Sequence, residues 1–214
     1  MKNFIIAISF LFIAKMGLSQ EWPKQIFSSS QLNTEIAKHK LVAILPYEVR
    51  ISYKRQPKNF SAEANRDQEK TMSKSIQSSM YTFLLRKGDK YSVAFQDVDK
   101  TNILLKKAGM FDSLSLFTKD EIAKTLGVDA IIGGIFEMEQ TKSVGAAIAT
   151  AVLFDAPGVK TGTGSLVMTI NNGVNGDLLW RFFKTMNESM MSSTDDLVER
   201  MMRKVSRNFP YLIK

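Results

Sequence analysis

Residues 118–140 read TKDEIAKTLGVDAIIGGIFEMEQ, and this stretch decides the fold. Thr118-Lys119-Asp120-Glu121 is a capping box: the Thr hydroxyl accepts from the N–H at Glu121, and the Glu carboxylate reaches back to the N–H of Thr118. The helix it opens is brief, because Gly127 is placed to close it in the left-handed conformation. Val128 to Gln140 then reads as a strand. Its first half is continuously apolar, as in a central strand covered on both faces. Its second half alternates, with Ile135, Phe136 and Met138 set against Glu137 and Glu139. A capped helix running directly into a central strand places the chain in the α/β class.

Upstream, Leu41 to Tyr53 (LVAILPYEVRISY) is a strand buried at its start. Pro46 has no N–H for a sheet ladder, so the strand bends or leaves the sheet centre there. Ser61 to Lys87 is a long helix whose Met72, Ile76, Met80, Phe83 and Leu84 share one face, with Gly88 placed to end it in a left-handed cap. Tyr91 to Phe95 is a short strand, and Asp99 to Lys107 a short helix closed by Gly109.

Downstream, Ser165 to Asn171 and Leu178 to Met186 are strands joined by an Asn/Gly-rich turn, hence a hairpin. A last helix runs from about Asp195 to Phe209, with a core stripe of Leu197, Met201 and Val205 beside Val198 and Met202. The expected architecture is a single α/β domain over residues 41–214. Its mixed sheet has about five strands, the C-terminal hairpin among them, covered by helices in a three-layer-like arrangement. Residues 20–40 form an N-terminal extension with a short helix around Leu32 and Ile36.

The first nineteen residues read as a secretory signal. Lys2 is the positive region, Phe4 to Ala14 the apolar run, and Gly17-Leu18-Ser19 the small residues before cleavage. The chain of 214 residues has no cysteine, so it has no disulfide framework and no thiolate metal site. With no Cys at the signal end to carry a lipid, the expectation is export without a lipid anchor, to the periplasm or beyond. At 44% hydrophobic and 23% charged the chain has an ordinary globular composition, and its formal charge is +8. In an exported protein that charge either serves solubility alone or favours envelope polyanions over nucleic acid as partners.

No motif asks for a metal or cofactor, and none supplies a catalytic constellation. His39 is the only histidine and reads as a surface residue between Lys38 and Lys40. Asp97 and Asp99 lack the Gly and terminal Glu of a calcium loop. Glu137 and Glu139 read as a solvated strand face, and Gly133-Gly134 as a bulge or the close approach of a packed helix. The twelve methionines read mainly as core filler.

Two segments are candidates for partner or membrane contact. The insertion 143–164 is apolar and rich in small residues, then rich in Pro and Gly; it either folds back onto the sheet as a small helix or is an exposed arm that meets another subunit or a membrane through Val144, Ile148, Val152, Leu153 and Phe154. On the last helix Arg200, Arg203, Lys204 and Arg207 form a basic polar side that can meet an anionic membrane or glycan.

The patterns Ala43 to Tyr47, Gly88 to Val93, Ile122 to Gly133 and Gly176 to Trp180 resemble those of envelope proteins related to the curli-secretion protein CsgG. Similar units occur in the amino-terminal domain of TolB and in LpoB-type activators of penicillin-binding proteins. The resemblance spans about Leu41 to Tyr211, and the unlipidated leader is similar to that of a Bacteroidetes-type secreted protein. It implies a non-enzymatic α/β module that binds envelope proteins or further copies of itself, and it carries over no catalytic residue. Channel-forming members insert long amphipathic hairpins, whereas Val144 to Phe154 is short and runs into Pro157-Gly158. Two alternative functions are an oligomeric outer-membrane secretion component and a hydrolase acting on an envelope substrate.

Overall fold

The computed structural model describes residues 24–140, 162–186 and 194–213. The axis of its sheet is the strand expected after Gly127, here β5 (Ala130–Gln140). Along one edge β5 pairs antiparallel with β6 (Gly162–Asn172) over its whole length, from Ala130 opposite Asn172 to Gln140 opposite Gly162. Along the other edge it pairs parallel first with β2 (Leu41–Ile44) and then with β3 (Glu48–Tyr53). These two are the single expected strand 41–53, interrupted at Leu45-Pro46-Tyr47, where the missing N–H of Pro46 breaks the ladder.

The described sheet has seven strands and mixed directions, in the order β1-β7-β6-β5-β2-β4, with β3 beside β5 beyond the end of β2. The expected hairpin is present, as β6 with β7 (Leu178–Met186). Its turn closes with Asn172 N–H donating to the Asp177 carbonyl, and Gly176 supplies a φ of +76°. The sheet exceeds the expected five strands for two reasons. One is the break at Pro46. The other is β1 (Gln25–Ser28), an edge strand in the N-terminal extension that pairs antiparallel with β7. All four β1 residues are exposed, so no buried face imprinted a period-two pattern on them. The Tyr91–Phe95 strand shortens to β4 (Ala94–Phe95), while Tyr91 makes an isolated bridge to Leu212.

Five helices lie around the described sheet. The extension contributes α1 (Leu32–Ile36), as expected. The long α2 (Ala62–Leu85) is N-capped by the Ser61 hydroxyl, and α5 (Thr194–Val205) packs beside it on one sheet face. Between them and the sheet lies the larger core, built on Ile76, Met80, Phe136, Met168, Trp180 and Val205. Met201 and Met202 are buried in it, as core filler. On the opposite face α3 (Val98–Lys107) and α4 (Lys119–Leu126) enclose a smaller core of Ala43, Leu105, Ile122, Leu126 and Ile131. Here Asp97 is the N-cap of α3, accepting from the Lys100 N–H. The capping box of Thr118 and Glu121 is formed, and Gly127 takes φ +66° and ψ +45°. Gly88 departs from expectation: α2 stops three residues earlier, and Gly88 opens a short 3-10 turn without positive φ.

Gly133 and Gly134 divide sharply. A Cβ on Gly134 would collide with the Tyr47 ring and the Val167 carbonyl, so this glycine is demanded by the packing of Tyr47 and β6 rather than by a helix. A Cβ on Gly133 would find its nearest neighbours at 3.9 and 4.0 Å, ordinary contact distance.

Candidate functional site

The smaller core covers only the start of β5 and the strand β2 beside it. Beyond it, among the described residues, the same sheet face carries no helix across β3, β5, β6, β7 and β1. Strand alternation sends one set of side chains to that face. Register then arranges them in rows across the strands. One row is Gly133, Thr169, Arg181 and Phe27; the next is Ile135, Val167, Phe183 and Gln25; a third is Arg50, Glu137, Ser165 and Thr185.

Where this face meets the segment after α3, it forms an open groove of about 530 Å³. Its floor is Gly133, Ile135, Val167 and Thr169; its walls are Leu45 to Glu48 on one side and Phe111, Leu114 and Lys119 on the other. Arg181 borders this groove and also a second one, of about 450 Å³, whose other lining residues are Gln25, Ile26, Phe27 and Phe183. Phe27 is 49% exposed and Leu116, beside the first groove's wall, 80% exposed. A third concavity lies toward the far end of β5, lined by Arg50, Glu137, Gly164 and Ser165.

The electrostatics are specific. Arg50 bridges Glu48 at 2.7 Å and Glu137 at 2.8 Å, and the Ser165 hydroxyl donates to Glu137. Hydrogen bonding to Glu48 is the main cause that raises the Arg50 guanidinium above its usual range. The Lys74 and Lys106 ammonium groups stand over the Phe111 ring at 5.7 and 5.0 Å. Lys119 is half-buried in the groove; burial lowers its ammonium below the usual lysine range, against the pull of Glu48.

A second polar cluster is buried. His39 is not a surface residue: it is 6% exposed, and its Nδ1 lies 2.8 Å from the Tyr211 hydroxyl. Burial lowers the His39 pKa and raises that of Tyr211. Nearby, Asp129 accepts from the N–H groups of Lys40 (2.7 Å) and Leu41 (2.9 Å). Burial would raise its carboxyl, but these two bonds hold it below the usual range. This cluster ties the start of β2 to the C-terminal segment, where Ser92 N–H also donates to the Tyr211 carbonyl.

The residues expected to meet a partner are placed differently. Val144, Ile148, Val152, Leu153 and Phe154 lie outside the described residues. Arg203 and Arg207 are exposed and Arg200 and Lys204 half-buried, with Arg203 3.9 Å from Glu199. They belong to α5 and the turn after it, on the helix-covered side of the sheet away from the grooves. Glu137 and Glu139 are exposed on the strand face, as expected. The groove residues come from seven separate stretches between Leu45 and Arg181, so no local pattern in the sequence marks them as a site. The one signal available was Gly133 inside an apolar strand.

No protein-family profile matches the chain, and no curated protein matches it. Solved structures do. The PelC dodecamer from Paraburkholderia phytofirmans is 13% identical, covering 90% of this chain and 98% of that one, with a TM-score of 0.43. The lipoprotein GNA1162 from Neisseria meningitidis is 12% identical over 78% of this chain and 96% of that one, with a TM-score of 0.44. The LpoB C-terminal domain from Salmonella enterica is 10% identical over 73% and 93%, with a TM-score of 0.34. At such identities and scores these likenesses assign no activity or partner to this chain. The LpoB part of the expected resemblance recurs among them; nothing in them bears on its CsgG part.

Proposed function

We propose that this chain is an exported cell-envelope protein acting as a non-enzymatic interaction module, with the sheet face that no described helix covers as the docking surface. The observation that carries this reading is the broad, shallow face itself. Its grooves are open and mix apolar with polar side chains. A hydrolase reading asks for two carboxylates converging in a deep cleft. On this face Glu48 and Glu137 are instead both held by Arg50. The leader at residues 1–19 supports export, and no helix among the described residues is long and apolar enough to cross a membrane. The absence of cysteine supports release without a lipid tether.

The test is affinity purification of the full chain from its native host, with envelope components identified by mass spectrometry, alongside incubation of the purified protein with cell-wall material. The expected result is a reproducible stoichiometric envelope partner, or a defined homo-oligomer, with no turnover. Robust turnover without any partner would overturn the proposal in favour of the hydrolase.

A further inference from the structure

Resting on the docking reading just proposed, we infer that the groove between Gly133, Thr169, Lys119 and Arg181 recognises an extended, acidic peptide segment of a partner protein that carries apolar side chains between its carboxylates.

Three observations lead there. The first is Gly133. A glycine within a strand weakens it, and it is normally kept where something approaches the backbone closely. Among the described residues a Cβ on Gly133 would meet Thr169 and Leu45 only at ordinary contact distance, unlike one on Gly134 next to it, which would collide with Tyr47 and Val167. Packing among the described residues therefore does not demand a glycine at this buried position, and a larger side chain there would raise the groove floor.

The second is charge. Lys74 and Lys106 are held at the Phe111 rim, and Lys119 and Arg181 line the groove. Facing these four cations are the carboxylates of Asp112 and Glu48, the latter already engaged by Arg50. The surplus is positive, in a chain of net charge +8, and so complements acidic groups. Among the described residues, neither Lys119 nor Arg181 sits in an ion pair within 4 Å.

The third is shape. Arg181 joins the two grooves into one strip running across β5, β6, β7 and β1. Strands lie about 4.8 Å apart, so the strip is roughly 15 Å long, matching about five residues of extended chain at 3.3 Å each. Ile135 and Val167 at one end and Phe27 and Phe183 at the other offer apolar seats on either side of Arg181. The pattern selects an occupant that alternates acid with apolar residues. A lipid surface offers no such alternation along the strip, and a glycan offers no aliphatic side chains for the Ile135 and Val167 seats.

Fluorescence anisotropy of the full chain with a labelled peptide alternating Glu and Leu tests this. Controls are the Gln-Leu and Lys-Leu peptides and vesicles of phosphatidylglycerol with phosphatidylcholine. The Glu-Leu peptide is expected to bind, and to weaken on adding salt. Lys119→Gln and Arg181→Gln should each weaken it about tenfold. Gly133→Ala should keep the melting temperature while reducing binding, and Gly133→Val should reduce it further. Equal binding of Glu-Leu and Gln-Leu, or full binding by a folded Gly133→Val, overturns the inference. Vesicle binding with no peptide binding overturns it in favour of a lipid occupant. If a partner is purified from the host but none of these peptides binds, the docking proposal stands and this inference falls.

Discussion

Gly127 shows how a single residue carries the fold. Its backbone is left-handed, it closes α4, and three residues later the central strand begins. Gly127→Val should destabilise the protein by about 1–2 kcal/mol, because a β-branched side chain resists positive φ. An unchanged urea midpoint would contradict the assignment. His39 carries the second prediction at this scale. Burial, the largest influence, lowers its folded pKa, opposed by Asp129 and Glu35, while Lys38 adds to the lowering. The unfolded chain takes up the proton near pH 6.5, earlier than the folded one does, so stability is complete above that pH and falls as acidity increases below it. The Glu35 and Asp129 carboxyls, both held below their usual range, give up stability only at lower pH. His39→Gln should therefore flatten the stability profile between about pH 7 and 5. Parallel profiles of the two proteins in urea titrations would refute this. The buried state of His39 was not legible in its lysine-flanked surroundings, because its hydrogen-bond partner, Tyr211, lies 172 residues away in sequence.

At the level of elements, local chemistry was legible and long-range pairing was not. The helix in residues 118–126 declares itself through Thr118, Glu121 and Gly127, all of which act within one or two turns. Thr118→Ala should cost about 1 kcal/mol, read as a lower melting temperature with activity-independent detection such as circular dichroism. No change would show that the capping box contributes nothing in solution. The strand β1 lacks any such local signal. Its four residues gain their conformation from β7, some 155 residues away, with Gln25 opposite Phe183 and Ser28 opposite Trp180. Gly88 failed as a cap for a related reason. The positive-φ ending is one of several, and α2 ends instead with Arg86 and Lys87 N–H groups donating to the Thr82 and Leu84 carbonyls.

At the scale of the whole molecule, an asymmetric covering of one sheet makes the candidate site. α2 and α5 fill one face, while α3 and α4 cover only part of the other. The alternation in the second half of β5 already foreshadowed an open face, since Glu137 and Glu139 cannot be buried unpaired. What alternation could not supply was the neighbour across each strand, and hence the row from Gly133 to Phe27. The proposed function requires that face to meet a partner, which photo-crosslinking probes directly. A crosslinking side chain is placed at Thr169, and a second, as control, at the exposed Lys70 on the outer side of α2. In the native host a discrete adduct is expected from Thr169 and none from Lys70; adducts from Lys70 alone, or equally from both, would rule out this face as the docking surface.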